Sequence, residues 1–160
     1  MTVPHVPILS PDQLPISLGT PLDGRSKTVV SDLINPHGFV VFRGYGVSSD
    51  QEFPDFIECF GLPNFTYAES FSNAVRRNRT PRVFTANEAP PEIEIFLHHE
   101  MAQTLVFPGQ LFFFCEQAPT EGGATPIGRS DLALVALEKA RPDFVAKLRS
   151  LGVRYRNTMP

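Results

Sequence analysis

Apolar and polar positions along this chain change period often, and prolines and glycines cut them into short segments. Residues 1–24 are rich in Pro, Leu and Ile but have no clear period. Pro4, Pro7, Pro11, Pro15 and Pro21 forbid a helix there, which predicts an extended lead-in with one short strand near 16–18. Residues 26–34 predict a short helix, stopped by Asn35-Pro36 and Gly38. The run Gly38-Phe-Val-Val-Phe-Arg43 is β-branched and aromatic and lies between Gly38 and Gly44, so it predicts a strand. Ser48 or Ser49 caps an expected helix from Asp50 to about Phe60, with Pro54 tolerated in its first turns.

The pattern is weak over 62–92. Its one basic cluster, Arg76-Arg77-Asn78-Arg79, reads either as a solvated loop or as a segment facing a substrate. Residues 93–97 predict a strand leading straight into His98. A Pro108-Gly109 turn then precedes a second, fully apolar strand over 111–116, expected to be buried on both faces or nearly so. Ser130-Asp131 caps a helix running through Ala140. Pro142 opens another that ends near Ser150 with Gly152 as its stop, and 153–157 begins a further strand. Helices are mixed with short strands in this reading, and the expected class is mostly β with flanking helices (α+β). The division is an extended lead-in over 1–24 and one domain over 25–160.

Composition narrows the function classes. A chain of 160 residues can bury one real core, and fourteen Phe against no Trp and three Tyr predict a Phe-rich interior. Sixteen Pro, about twice the usual ~5% share, favour strands and ordered loops over long helices. A net charge of −3 invites neither nucleic acid nor an anionic membrane. Cys59 and Cys115 cannot make a disulfide framework, and Cys115, ending a triple-Phe run, is expected to be a buried small hydrophobe. No basic segment followed by an apolar stretch opens the chain, and no apolar run approaches the ~18 residues of a membrane span. The expected location is cytoplasmic.

The chemistry concentrates at His98-His99-Glu100. In a strand, residues i and i+2 share a face, so His98 and Glu100 would point together at one ion while His99 faces away. An imidazole with a carboxylate suits Fe(II), whose reactive non-haem sites need a third ligand and keep positions open. Alone, His-x-Glu is a common surface coincidence. Its surroundings make it specific: Thr85-Ala86-Asn87-Glu88, then Leu97-His98-His99-Glu100-Met101-Ala102, then Pro108, Leu111-Phe-Phe-Phe-Cys115-Glu116 and Glu121-Gly-Gly-Ala-Thr-Pro126. This block resembles the TauD/TfdA-like family, and within it the clavaminate-synthase-like branch, which uses His-x-Glu where taurine dioxygenase has His-x-Asp. Gly38–Gly44 resembles that family's early strand.

The resemblance implies an Fe(II)- and 2-oxoglutarate-dependent oxygenase built as a double-stranded β-helix, or jelly roll, here incomplete. It implies His98 and Glu100 as the first two metal ligands and Thr125 as a contact to a carboxylate of 2-oxoglutarate, with a small molecule as the oxidised substrate. A hydroxyl beside the backbone N–H groups of Gly122-Gly123 is independently a reasonable anion contact. Ala124 stands where the family commonly has an acidic residue. The family's third ligand is a His beyond the Gly-Gly turn, followed by an Arg for the far carboxylate of 2-oxoglutarate. No His follows His99 in this sequence, His5 and His37 lie upstream, and Arg154 and Arg156 fall where the family still has scaffold. The expectation is the N-terminal part of such a domain, a feeble catalyst or none by itself, with unpaired strand edges open to self-association. Two other classes stand beside it: a non-catalytic truncated scaffold acting as a binding module, and a non-redox zinc site on His98, His99 and Glu100.

Overall fold

The computed structural model describes residues 6–65, 76–86, 88–90 and 92–156. The lead-in does hold a strand, but earlier than expected. β1 (Ile8–Leu9) pairs in parallel with β2 (Val41–Phe42), in the register Ile8 to Val41 and Leu9 to Phe42. The Arg43 N–H donates to the Leu9 carbonyl at 2.8 Å and the Val41 N–H to that of Pro7 at 2.9 Å, so the ladder runs slightly past both strands. Residues 16–18 form no strand. They lie instead against the second helix, where the Cys59 thiol donates to the Ser17 carbonyl at 3.4 Å and the Gly19 N–H to that of Asp55 at 3.0 Å.

Helix α1 (Gly24–His37) is longer than predicted at both ends. Asp23 caps it, accepting the Ser26 N–H at 2.7 Å, and that bond holds the Asp23 carboxyl below its ordinary range. Pro36 does not stop the helix. Gly38 does, with φ +80° and its N–H on the Ile34 carbonyl at 2.6 Å, a left-handed cap that a side chain would strain. Helix α2 (Phe53–Glu58) occupies the middle of the span predicted from Asp50, and Pro54 sits in its first turn as expected. Helices α3 (Ser130–Ala140) and α4 (Pro142–Leu151) match their sequence signals and pack on each other, with Arg149 and Glu138 3.0 Å apart.

Two apolar clusters meet at Phe42. One holds Leu9, Leu14 and Val30; the other holds Phe53, Phe56, Ile57 and Val83. Phe42 contacts Phe56 and Phe60 edge-on at 5.2 and 5.7 Å, while Phe60 touches Phe112 and Phe53 stacks on Phe114. The Phe-rich interior is real, and rings at such spacings add to the burial energy. Tyr45 joins it with its hydroxyl donating to the Leu14 carbonyl at 2.8 Å, and burial pushes that phenol's pKa up.

The remaining strand expectations are corrected. Residues 94–99, 111–115 and 152–156 carry no ladder, and among the described residues β1 and β2 are the whole sheet. Strand propensity expresses fit to a pleated, half-buried surface, and these stretches have no described neighbour to pair with. The apolar run at 111–114 is half covered rather than buried on both faces. Phe112 and Phe114 turn to the core, whereas Leu111 and Phe113 are exposed. Cys115, expected inside, is also exposed; the buried thiol is Cys59. The described residues therefore show four helices and one two-stranded sheet, not a closed jelly roll. Among them, no helix is long and apolar enough to cross a membrane.

Candidate active site

The segment from 77 to 85 doubles back on itself. Asn78 and Phe84 form an antiparallel bridge, the Thr85 N–H donates to the Arg77 carbonyl at 2.9 Å, and the Thr80 hydroxyl accepts the N–H groups of Arg82 and Val83. This tight loop faces α2 and the 107–116 segment across an open cleft of about 800 Å³. Phe53, Ile57, Phe112 and Phe114 supply apolar wall. Arg76, Arg79 and Arg82 bring three positive charges to it, and Asp50, Glu100 and Glu116 three negative ones. The basic cluster read from the sequence is thus more than a solvated loop, since Arg76 and Arg79 line the cleft.

Each charge is held. Arg79 bonds the Asp50 carboxylate, holding that carboxyl below its usual range, and lies 3.6 Å from Glu116. Arg82 donates to the Leu62 carbonyl at 2.9 Å and sits 3.6 Å from Glu58. The Arg76 Nη2 lies 3.1 Å from one oxygen of Glu100 and 3.2 Å from the other. No sequence signal points to that last contact. It joins residues 24 apart, and only the return of the chain past α2 brings them together.

The predicted metal pair is only partly assembled. Glu100 is on the cleft wall and largely covered; His98 is exposed and not on that wall. With no strand over 94–99, the shared-face argument does not operate here. A turn begins at Glu100, and Met101, at φ +57° with its side chain buried, fixes its path. His98 Nδ1 is 2.6 Å from the Phe96 carbonyl. A carbonyl can only accept, so Nδ1 carries the proton and Nε2 presents a lone pair. Metal-binding histidines are commonly oriented by this same arrangement. His99 is engaged elsewhere, its Nε2 2.6 Å from the Ser130 hydroxyl. Thr125 is exposed and off the cleft, beside Gly122 and Gly123 at φ +67° and +68°. A Cβ at Gly123 would collide with the Pro119 ring, so that turn admits only glycine there.

In kind, His98 and Glu100 fit a divalent, borderline metal: an imidazole whose Nδ1 is committed to a carbonyl, and a carboxylate. No three His, Cys, Asp or Glu side chains among the described residues converge as a metal site. The cleft is Phe-walled, and its three arginines are balanced by three carboxylates.

Comparison with known proteins gives this arrangement a family. The chain matches the family described as taurine catabolism dioxygenase TauD, TfdA family, over residues 5–159. A clavaminate synthase-like protein of Arabidopsis thaliana is 39% identical over 142 residues, covering 89% of this chain and 42% of that protein. The dapdiamide synthesis protein DdaC of Enterobacter agglomerans is 28% identical over 153 residues, covering 95% of this chain and 44% of its own length. The chain belongs to the TauD/TfdA family. It spans less than half the length of these curated relatives.

Proposed function

We propose that this chain supplies the N-terminal part of the active site of an Fe(II)- and 2-oxoglutarate-dependent oxygenase acting on a small molecule. The observation that supports it most is the His98-x-Glu100 pair inside the family-matched span, with His98 presenting Nε2 and Glu100 facing the cleft. When bound, the iron and 2-oxoglutarate would supply the oxidising chemistry with O2 as the oxidant: one oxygen atom ends in succinate as 2-oxoglutarate loses CO2, and the other hydroxylates the substrate or leaves as water when the substrate is otherwise oxidised. The chain's own residues do the holding. The Phe96 carbonyl keeps a proton on His98 Nδ1 and leaves Nε2 as the nitrogen that would meet the metal. Glu100 offers a carboxylate from a partly dry wall, where charge is felt more strongly than in water. Phe112 and Phe114 exclude water from that wall, and the Thr125 hydroxyl would donate to a carboxylate of 2-oxoglutarate.

The test is succinate formation from 2-oxoglutarate by the full-length protein with Fe(II). His98→Ala and Glu100→Ala should abolish it. Thr125→Ala should raise the KM for 2-oxoglutarate roughly tenfold, as expected for losing one hydrogen bond to a charged group. Wild-type turnover in either metal-ligand variant would sink the assignment. The 160-residue polypeptide by itself should turn over slowly or not at all. A second reading, a non-catalytic scaffold that binds another chain, draws support from the apolar side chains exposed over 93–113. Under it, the polypeptide would bind a full-length relative and show no affinity for metal or 2-oxoglutarate.

A further inference from the structure

We propose that Arg76 is the resident counter-cation of Glu100 and competes with the metal for its carboxylate, so that loading the site requires Arg76 to withdraw. This rests on the reading of Glu100 as a metal ligand. The geometry carries it. One nitrogen, Nη2, straddles both carboxylate oxygens at 3.1 and 3.2 Å, the position a divalent cation chelated by both oxygens would take. A metal held by both oxygens displaces that nitrogen outright. A metal held by one oxygen would set a double positive charge beside the guanidinium and weaken its hold on that oxygen. Water does little to soften either case, since the two side chains are only 19% and 14% exposed.

The neighbouring arginines do not play this part. Arg79 is engaged by Asp50 and Glu116, and Arg82 by Glu58 and the Leu62 carbonyl. Arg76 therefore acts through Glu100 as a positioning residue: it holds the carboxylate in the cleft and sets the threshold for metal entry. Arg76→Met removes the competitor and leaves an uncompensated carboxylate, which should cost stability without metal and make metal binding more stabilising.

Mn(II) titrations of the full-length protein, followed by the electron paramagnetic resonance of free Mn(II), test this with wild type, Arg76→Met, Arg76→Lys and Glu100→Gln. Arg76→Met should bind Mn(II) about tenfold tighter than wild type, with Arg76→Lys in between because a lysine keeps the charge but not the fork. Thermal unfolding gives a second readout, in which Mn(II) should raise the Tm of Arg76→Met more than that of wild type. If Glu100→Gln abolishes binding while Arg76→Met leaves affinity unchanged or weaker, the competition is refuted and Glu100 stands as a ligand. If Glu100→Gln binds Mn(II) like wild type, Glu100 is no ligand and the proposal falls with it.

Discussion

Residues 6–65 and residues 92–156 carry similar kinds of apolar side chain and treat them in opposite ways. In the first region Leu9, Leu14, Val30, Phe53 and Phe56 are buried and pack around Phe42. In the second, Phe96, Leu97, Leu105, Phe113, Val135 and Leu151 are exposed, and Val145 and Met101 are the buried hydrophobics. The first region finds most of its partners within itself, with Val83, Phe112 and Phe114 added from outside it. The second leaves most of its large apolar side chains exposed among the described residues, and exposed apolar surface of this kind marks a site of association. The two regions thus carry two kinds of sequence: one that packs locally and one that leaves its apolar side chains open.

The strongest way to break this comparison is to remove a ring from each region. Phe56→Ala should destabilise the protein by about 3–5 kcal/mol in urea unfolding, since a buried aromatic leaves a cavity. Tyr45→Phe should cost about 1 kcal/mol by the same measurement, through loss of its hydrogen bond to the Leu14 carbonyl. Phe113→Ser should cost less than about 0.5 kcal/mol, and it should reduce self-association in sedimentation velocity. A Phe113→Ser penalty as large as that of Phe56→Ala would show the second region covered in solution and would erase the contrast.

The smallest effect sharpens the join between the two regions. Arg129 donates to the Pro36 carbonyl at the end of α1 and grips Asp131 at the start of α3, so it ties one region to the other. The Arg129 guanidinium beside Asp131 lowers that carboxyl from 3.8 to about 2. Because the folded state prefers the carboxylate, the contribution is fully present above the unfolded value and is lost as pH falls through about 2. Wild type should therefore lose slightly more stability than Asp131→Asn over that acid interval, as read by chemical denaturation at stepped pH. Equal slopes would mean the tie carries no weight.

What the sequence disclosed follows the same division. Helices α3 and α4 were legible to within a residue because Pro142 and Gly152 are local signals, but the expected Ser130-Asp131 cap is not formed: Arg129 is the N-cap of α3 and gives no side-chain cap bond. Helix α1 was legible except at its ends, where the Asp23 cap went unread and Pro36 was given a stopping power that belongs to Gly38. The strands over 93–97 and 111–116 were misjudged because a strand is a relation between two segments, and apolar content alone does not provide the second. At the site, His98 and Glu100 stood out by spacing, and the family they suggested is the family the chain belongs to. The Arg76 contact was invisible, being a product of tertiary approach.

Met101 has a consequence for how freely this sequence can drift. A non-glycine residue at φ +57° stores roughly 1–3 kcal/mol of backbone strain, offset here by a side chain that is almost wholly enclosed. Valine or isoleucine would pay twice, in backbone and in rotamer; glycine would relax the backbone but give up the anchor. Few residues satisfy both demands, so the aim of the Glu100 carboxylate is encoded one position downstream, in a buried thioether. Mutational tolerance around this site should be narrowest at a residue with no chemistry of its own.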